Sequence, residues 1–465
     1  MRTFLLLTFS IILYQANAQQ VRYLTLEEAT KIALENVIEI KNLQLDEQIQ
    51  QAQNKEITGS ALPQISGSGQ LTYYTNLPVI PFPSSNFSVY NVLEKEGVQD
   101  KNGNPISVKN ATSSVQAVSF VAPLNYQFGL SVQQLLFQPD VFVALKARET
   151  ILEFAKNNTS IAVDKVKESV QKAYYSVLIA QNQREVINQT KVRLEKLKNE
   201  MAEMFKQGFA EKLDIDKLTV TVNNTEAAQN QINNGIKISE AVLKNALGIP
   251  QTDSIVLSDK LDIVNLQAEI LNSESAMNYE NRSEFSLLMT TKKLQTLETK
   301  RFKMSYLPTV AAFYQLQRSG QRNKIYDING SGPWFAFTTG LAGISINQPI
   351  YDGGQKSQKI QQSKLKLQKI ENSISQLKQY IDLENVASKN SLKNAVVNLE
   401  VQKRNMELAE SVFNTTTKKY QSGLGSSFEL IQTDTELQRA TGSYFQALYD
   451  AYIAKVNFIK SIGKL

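Results

Sequence analysis

The chain has 465 residues, 50 basic and 44 acidic side chains, a formal charge of +6, and neither cysteine nor histidine. That composition removes disulfides, thiol nucleophiles, imidazole bases and the commonest transition-metal ligands together. Lys and Glu are interspersed rather than clustered on one face, so an enzyme, a cofactor, a metal centre and a nucleic-acid partner are all unexpected.

Residues 1–18 have the layout of a secretory signal: Arg2, an apolar run over 4–14, and the small-residue site Ala16-Asn17-Ala18. The run is too short to span a bilayer as a helix, and no later stretch reaches the roughly 20 apolar residues needed. An exported chain without a membrane helix is the expectation.

The remainder of the chain is one plan written twice. Repeat 1, residues 19–249, is expected to hold a helix over 25–61 and strands near 64–77 and 117–136. A long helix over about 140–206, a turn at 206–213 and a returning helix over about 214–247 complete it. A linker over 250–275 leads into repeat 2, residues 276–465. Its expected parts are a helix over 277–306, strands near 309–318 and 333–350, a long helix over about 354–421, a turn at 421–428 and a return over about 429–461. Gly208 and Gly423 lie 215 positions apart, as do Gly248 and Gly463, and constant spacing over that distance marks duplication. The segment 78–116, rich in Pro, Asn, Ser and Gly, reads as a long exposed loop.

In the second strand Val118, Phe120, Ala122, Leu124, Tyr126, Phe128, Leu130 and Val132 alternate with small or polar residues, which gives one apolar and one wet face. Ile65, Leu71 and Tyr73 repeat the pattern in the first strand, and Val310, Ala312, Tyr314 and Leu316 in the third. In the fourth, Phe335 and Phe337 fall out of phase with Ile344 and Ile346, from which a bulge near Gly340 is expected. Strands of this length cross a membrane when tilted. Tyr73, Tyr74, Tyr314 and Trp334 are expected near strand ends, where interfacial aromatics gather. Four strands cannot close a barrel, and an open edge in lipid leaves amides unpaired at several kcal/mol each. A barrel shared among copies is the consequence. In the long helices Val163, Val166, Val170, Ala173, Val177 and Ala180, and likewise Leu392, Val396, Leu399, Met406, Phe413 and Tyr420, keep the three-and-four spacing of coiled-coil-like packing.

The opening helix from Leu24-Thr25-Leu26 to Asn36, both Leu-Pro entries into strands, the Gln348-Pro349-Ile350-Tyr351-Asp352-Gly353-Gly354 exit and the turn from Tyr420 to Leu430 together resemble the TolC family of outer-membrane efflux proteins. The resemblance covers essentially the whole mature chain. It implies a mainly α fold with a membrane β part: a homotrimer whose twelve strands, four per chain, form one barrel continued by a coiled-coil-like periplasmic tunnel. It further implies the outer membrane of a Gram-negative bacterium, contact with outer-membrane lipid, and docking to a periplasmic adaptor (membrane fusion) protein and an inner-membrane pump or secretion transporter. The duct itself would be passive.

Matched residue by residue, Asp214 takes the place of an aspartate that ties the family's aperture shut, Tyr420 that of its tyrosine partner, and Glu429 that of a ring-forming acid. Gly208, Phe209, Gly423 and Leu424 take the place of the adaptor-contacting tip. Two departures stand out: Gly425 where an arginine can stand, and Gln432 where a second acidic ring can stand. The alternative, a trimeric coiled-coil structural or adaptor protein of the envelope without a channel, accounts for the heptads but leaves the alternating strands unexplained.

Overall fold

The computed structural model describes residues 21–83, 89–106, 115–261, 278–322 and 334–465. The expected signal over 1–18, parts of the loop 78–116 and the second half of the linker 250–275 lie outside the described residues. In chain order the first elements are β1 (Val21–Leu24), α1 (Leu26–Asn36), α2 (Ile38–Ser60), β2 (Gln64–Tyr73), β3 (Ile80–Pro83), α3 (Val89–Lys95), β4 (Val115–Val118) and β5 (Leu124–Phe137). The later ones are α4 (Pro139–Lys206), α5 (Lys212–Leu247), β6 (Ser254–Leu257), α6 (Ser283–Met304), β7 (Thr309–Arg322), β8 (Phe335–Asn347), α7 (Gln355–Gln421) and α8 (Ser427–Ser461). Two compact units result, and each repeat contributes to both: Met1–Gln53, Ala147–Thr299 and Gln361–Leu465 form one, Asn54–Lys146 and Lys300–Ile360 the other.

The second unit is a four-stranded antiparallel sheet in the order β2-β5-β7-β8. The two strand pairs meet at β5–β7, where Leu130 faces Leu316. The row Ile65, Val132, Tyr314, Ala342 shows how the register carries one face across all four strands. That face holds Ile65, Leu71, Tyr126, Phe128, Leu130, Leu316, Ile344 and Ile346. The other holds Gln64, Ser66, Gln70, Gln127, Ser131, Gln315, Gln317 and Ser319. Ser66 and Ser131 hydroxyls bond each other across it at 2.6 Å.

Several expectations need correction. The second strand does not run from 117 to 136. Val118 belongs to β4, which pairs with β3, and the chain then breaks before Leu124. Pro123 has no N–H for a ladder, and Ser119 and Asn125 satisfy the break by donating to the carbonyls of Val121 and Ala122. The segment 78–116 is accordingly not all loop, since it contributes β3, α3 and the start of β4. There is no bulge at Gly340: the β7–β8 register runs unbroken from Thr309↔Asn347 to Gln321↔Phe335. Phe335 and Phe337 simply sit on the polar face opposite Gln321 and Ser319, and the irregularity lies in β5 between Leu135 and Phe137. Tyr314 is mid-strand rather than terminal.

The first unit is helical, and its long elements bury the stripe that their spacing demands. Val166, Val170, Tyr174 and Val177 of α4 pack with Ala29, Ala33, Ile40, Leu243 and Leu247. Leu392, Val396 and Leu399 of α7 pack with Phe445, Leu448, Ala451 and Tyr452 of α8. Each such aliphatic side chain contributes about 1.5–3 kcal/mol when fully buried. The helix expected over 25–61 is broken at Val37, whose backbone is extended (ψ 122°). The break accommodates Gly248: at φ +66° it ends α5, and a Cβ there would stand 3.0 Å from the Asn36 carbonyl carbon and the Val37 nitrogen. β1 and β6 form a short parallel pair at this core, to which Leu24 and Ile255 contribute.

Candidate functional site

Both long helices end the same way. Gly208 (φ +84°) donates to the Phe205 carbonyl at 3.0 Å and Phe209 to that of Met204 at 2.9 Å. Gly423 (φ +74°) donates to Tyr420 at 3.0 Å and Leu424 to Lys419 at 2.9 Å. This paired closure requires the left-handed backbone that glycine adopts without strain. It projects Phe209 and Leu424 outward, 76% and 80% exposed.

The returning helices also begin alike. Glu211 is the N-cap of α5 and Ser426 that of α8, which makes Asp214 and Glu429 equivalent residues three places on. Asp214 Oδ2 accepts from the Glu211 amide at 3.4 Å, and Ser426 Oγ accepts from the Glu429 amide at 3.2 Å. Their carboxylates also lie in the first turn, where the helix dipole favours negative charge. Beyond that shared role they differ. The Ser427 hydroxyl donates a short hydrogen bond to Asp214 Oδ1, which ties α5 to α8. Tyr420 is buried beside it, and burial first, then the Asp214 charge, pushes the phenol up. Glu429 is exposed, with Lys419 Nζ at 3.9 Å. The fold therefore brings Asp214 and Tyr420 together and sets Glu429 apart from them. Gly425 packs closely, since a Cβ there would lie 3.1 Å from the Tyr420 nitrogen. An arginine at that position would have to displace the Tyr420 backbone by a few tenths of an ångström.

Two residues escape a reading of the sequence. Asp434 of α8 is 1% exposed among Leu430, Leu437, Leu194, Leu218 and Phe413. Its Oδ2 accepts from Gln438 Nε2 at 2.6 Å, while Oδ1 has no hydrogen-bond partner. Gln438 reaches on to Thr225 of α5 at 3.3 Å. The Arg193 guanidinium of α4 stacks 4.6 Å from the centre of the Phe413 ring of α7. Burial pushes the Asp434 carboxyl up to about 6, against the pull of Arg193. The signal was present: Leu430, Asp434 and Leu437 share one helical stripe, so an acid occupies a core position. Among the described residues no group of three or more carboxylates could hold a metal ion, and no helix is long and apolar enough to cross a membrane.

One chain thus carries a duplicated pair of helical turns and a sheet with one apolar and one uncharged polar face. Residues 303–464 match the outer membrane efflux protein family. That match spans the second repeat from the end of α6 onward, and its outer-membrane placement is the one expected from sequence. Over nearly the whole chain the fold is that of solved outer-membrane channels. VceC from Vibrio cholerae is 12% identical, with a TM-score of 0.67 over 94% of this chain and 96% of its own. CmeC from Campylobacter jejuni is 13% identical, with 0.65 over 94% and 85%. MtrE from Neisseria gonorrhoeae, solved in its open state, is 12% identical, with 0.63 over 94% and 88%. No curated protein matches the chain in sequence.

Proposed function

We propose that three copies of this chain form the outer-membrane exit duct of a tripartite efflux or type I secretion system, a passive conduit rather than an enzyme. The observation that carries the reading is the sheet. β2 and β8 are its edge strands and run antiparallel to each other. The β8 edge of one copy therefore pairs with the β2 edge of the next in the same antiparallel sense, and three copies close a ring of twelve strands with no free edge in lipid. The apolar face then meets lipid, and the Gln, Ser and Thr face lines the lumen. An envelope coiled coil without a channel has no use for such a sheet.

The helical turns serve docking and gating in this reading. Exposed Phe209 and Leu424 are apolar anchors for a periplasmic adaptor, which hands over cargo from an inner-membrane pump or secretion transporter. A groove between α7 and α8, lined by Asn405, Leu408, Val412, Gln432, Glu436 and Arg439, offers a further adaptor surface. Asp214 and Ser427 tie α5 to α8 at the aperture, with Tyr420 of α7 buried close to the Asp214 charge, and Glu429 supplies a single acidic ring that attracts cations.

Planar-bilayer recording of the detergent-purified trimer tests this. Glu429→Gln is expected to lower cation selectivity, and Tyr420→Phe combined with Asp214→Ala to raise conductance. Parental values in both variants would reduce these residues to helix caps, and a chain that stays monomeric and soluble without detergent would refute the duct itself. Ala210→Cys and Ser426→Cys should crosslink to the adaptor in cells.

A further inference from the structure

Arg318 and Arg322 are the only charged residues within β2, β5, β7 and β8. They stand on the same strand, on the same apolar face, and at the same end. Arg322 pairs with Leu124, which pairs with Tyr73, so this is the edge of the sheet remote from the strand starts at Gln64 and Thr309. Arg318 pairs with Phe128 four residues earlier. Between them lies Gly320, and the Tyr126 ring covers it so closely that a Cβ would meet the ring. Trp334 stacks edge-on against Tyr126, with centroids 4.9 Å apart, and the Arg322 guanidinium lies 5.7 Å from the Trp334 ring. Phe128 continues the aromatic floor 5.6 Å from Tyr126.

Charge on a lipid-facing strand is costly, about 2–4 kcal/mol for arginine at the midplane, and falls to about 0–1 near an interface. Two arginines at one end, with none at the other, therefore mark that end as lying at headgroup level, where lipid phosphates stand. A guanidinium binds phosphate through paired N–H donors, and an aromatic floor suits the apolar underside of a lipid backbone at the same depth. We propose that Arg318 and Arg322, with Tyr126 between them and Trp334 beside Arg322, form a site for a phosphate-bearing lipid headgroup of the outer leaflet. The acyl chains run down the apolar face over Phe128 and Leu130. The site anchors the sheet at a fixed depth in the bilayer. This rests on the reading that the sheet crosses the outer membrane.

The test titrates diphosphoryl lipid A into trimers held in a phosphate-free maltoside detergent and counts bound lipid by native mass spectrometry. Dephosphorylated lipid A and inorganic phosphate serve as the other two probes. At about 1 kcal/mol per basic residue facing anionic headgroups, Arg318→Gln or Arg322→Gln should weaken lipid binding about fivefold each, and the pair about 25-fold. Arg318→Lys with Arg322→Lys, which keeps the charges but loses the paired donors, should bind between the parent and the double glutamine variant. Equal retention by the double glutamine variant, equal binding of the dephosphorylated lipid, or displacement of the lipid by inorganic phosphate at matched concentration would each overturn the proposal. Conductance is recorded on the same preparations. Conducting trimers with unchanged lipid retention overturn the lipid site and leave the duct standing, whereas a parent that neither inserts nor conducts overturns both.

Discussion

Replacing Asp434 by asparagine should flatten the pH dependence of the helical end that holds Arg193 and Phe413. The carboxyl is 1% exposed and titrates near 6 instead of its ordinary 3.8, chiefly through burial. An acid whose native pKa is raised binds more protons folded than unfolded between those two values. Its contribution therefore declines as pH climbs from 3.8 to about 6, and the full penalty remains at higher pH. At 1.36 kcal/mol per tenfold change in proton affinity, that penalty is about 3 kcal/mol. Asparagine keeps an acceptor for Gln438 and carries no charge, so it stands in for the protonated acid at every pH. The variant should thus gain about 2–3 kcal/mol over the parent at about pH 7.5, and almost nothing at about pH 4. Glu153, Glu168 and Glu284 are each held below their ordinary 4.5. They act in the opposite sense, with stability lost as pH falls, but they are common to both proteins and cancel in the difference. Amide hydrogen exchange over residues 430–437 at the two pH values reads the local free energy directly. Parallel profiles for parent and variant would refute the buried-acid reasoning.

Leu130→Lys, on the exposed apolar face and paired with Gly67 and Leu316, should impair membrane insertion by about 2–4 kcal/mol, seen as loss of heat-resistant trimer in outer-membrane fractions; normal trimer yield would argue that this face does not meet lipid. Gly208→Ala should cost about 1–2 kcal/mol through its left-handed backbone alone, since nothing lies within 4 Å of the added methyl. Gly248→Ala should cost distinctly more, because its methyl would also press on the backbone of Asn36 and Val37; urea denaturation that gave equal losses would rule out the close approach.

The sequence by itself determined the features that depend on short-range periodicity and on glycine. Period-two alternation in residues 124–132 assigns every side chain to a face, because a strand has no other repeat. The 215-residue spacing of Gly208 and Gly423 places two helix ends of identical backbone form, since only a residue free to adopt positive φ closes a helix in that way. Asp214 and Glu429 are found through the same spacing, and their shared place in the first turn of a helix comes from it. The tertiary structure alone decided what depends on a distant partner. Which strands are neighbours, with β5 joined to β7 across the two repeats, is a choice among backbone hydrogen bonds that local pattern leaves degenerate. Phe335 and Phe337 look like a bulge because sequence cannot say which face of β8 is polar until Gln321 and Ser319 are seen opposite them. The break at Val37 needs the approach of Gly248, which lies far along the chain in the other half of repeat 1. Asp434 shares a helical stripe with Leu430 and Leu437, but only the packing of the helices around it removes the water that would have kept its carboxylate charged.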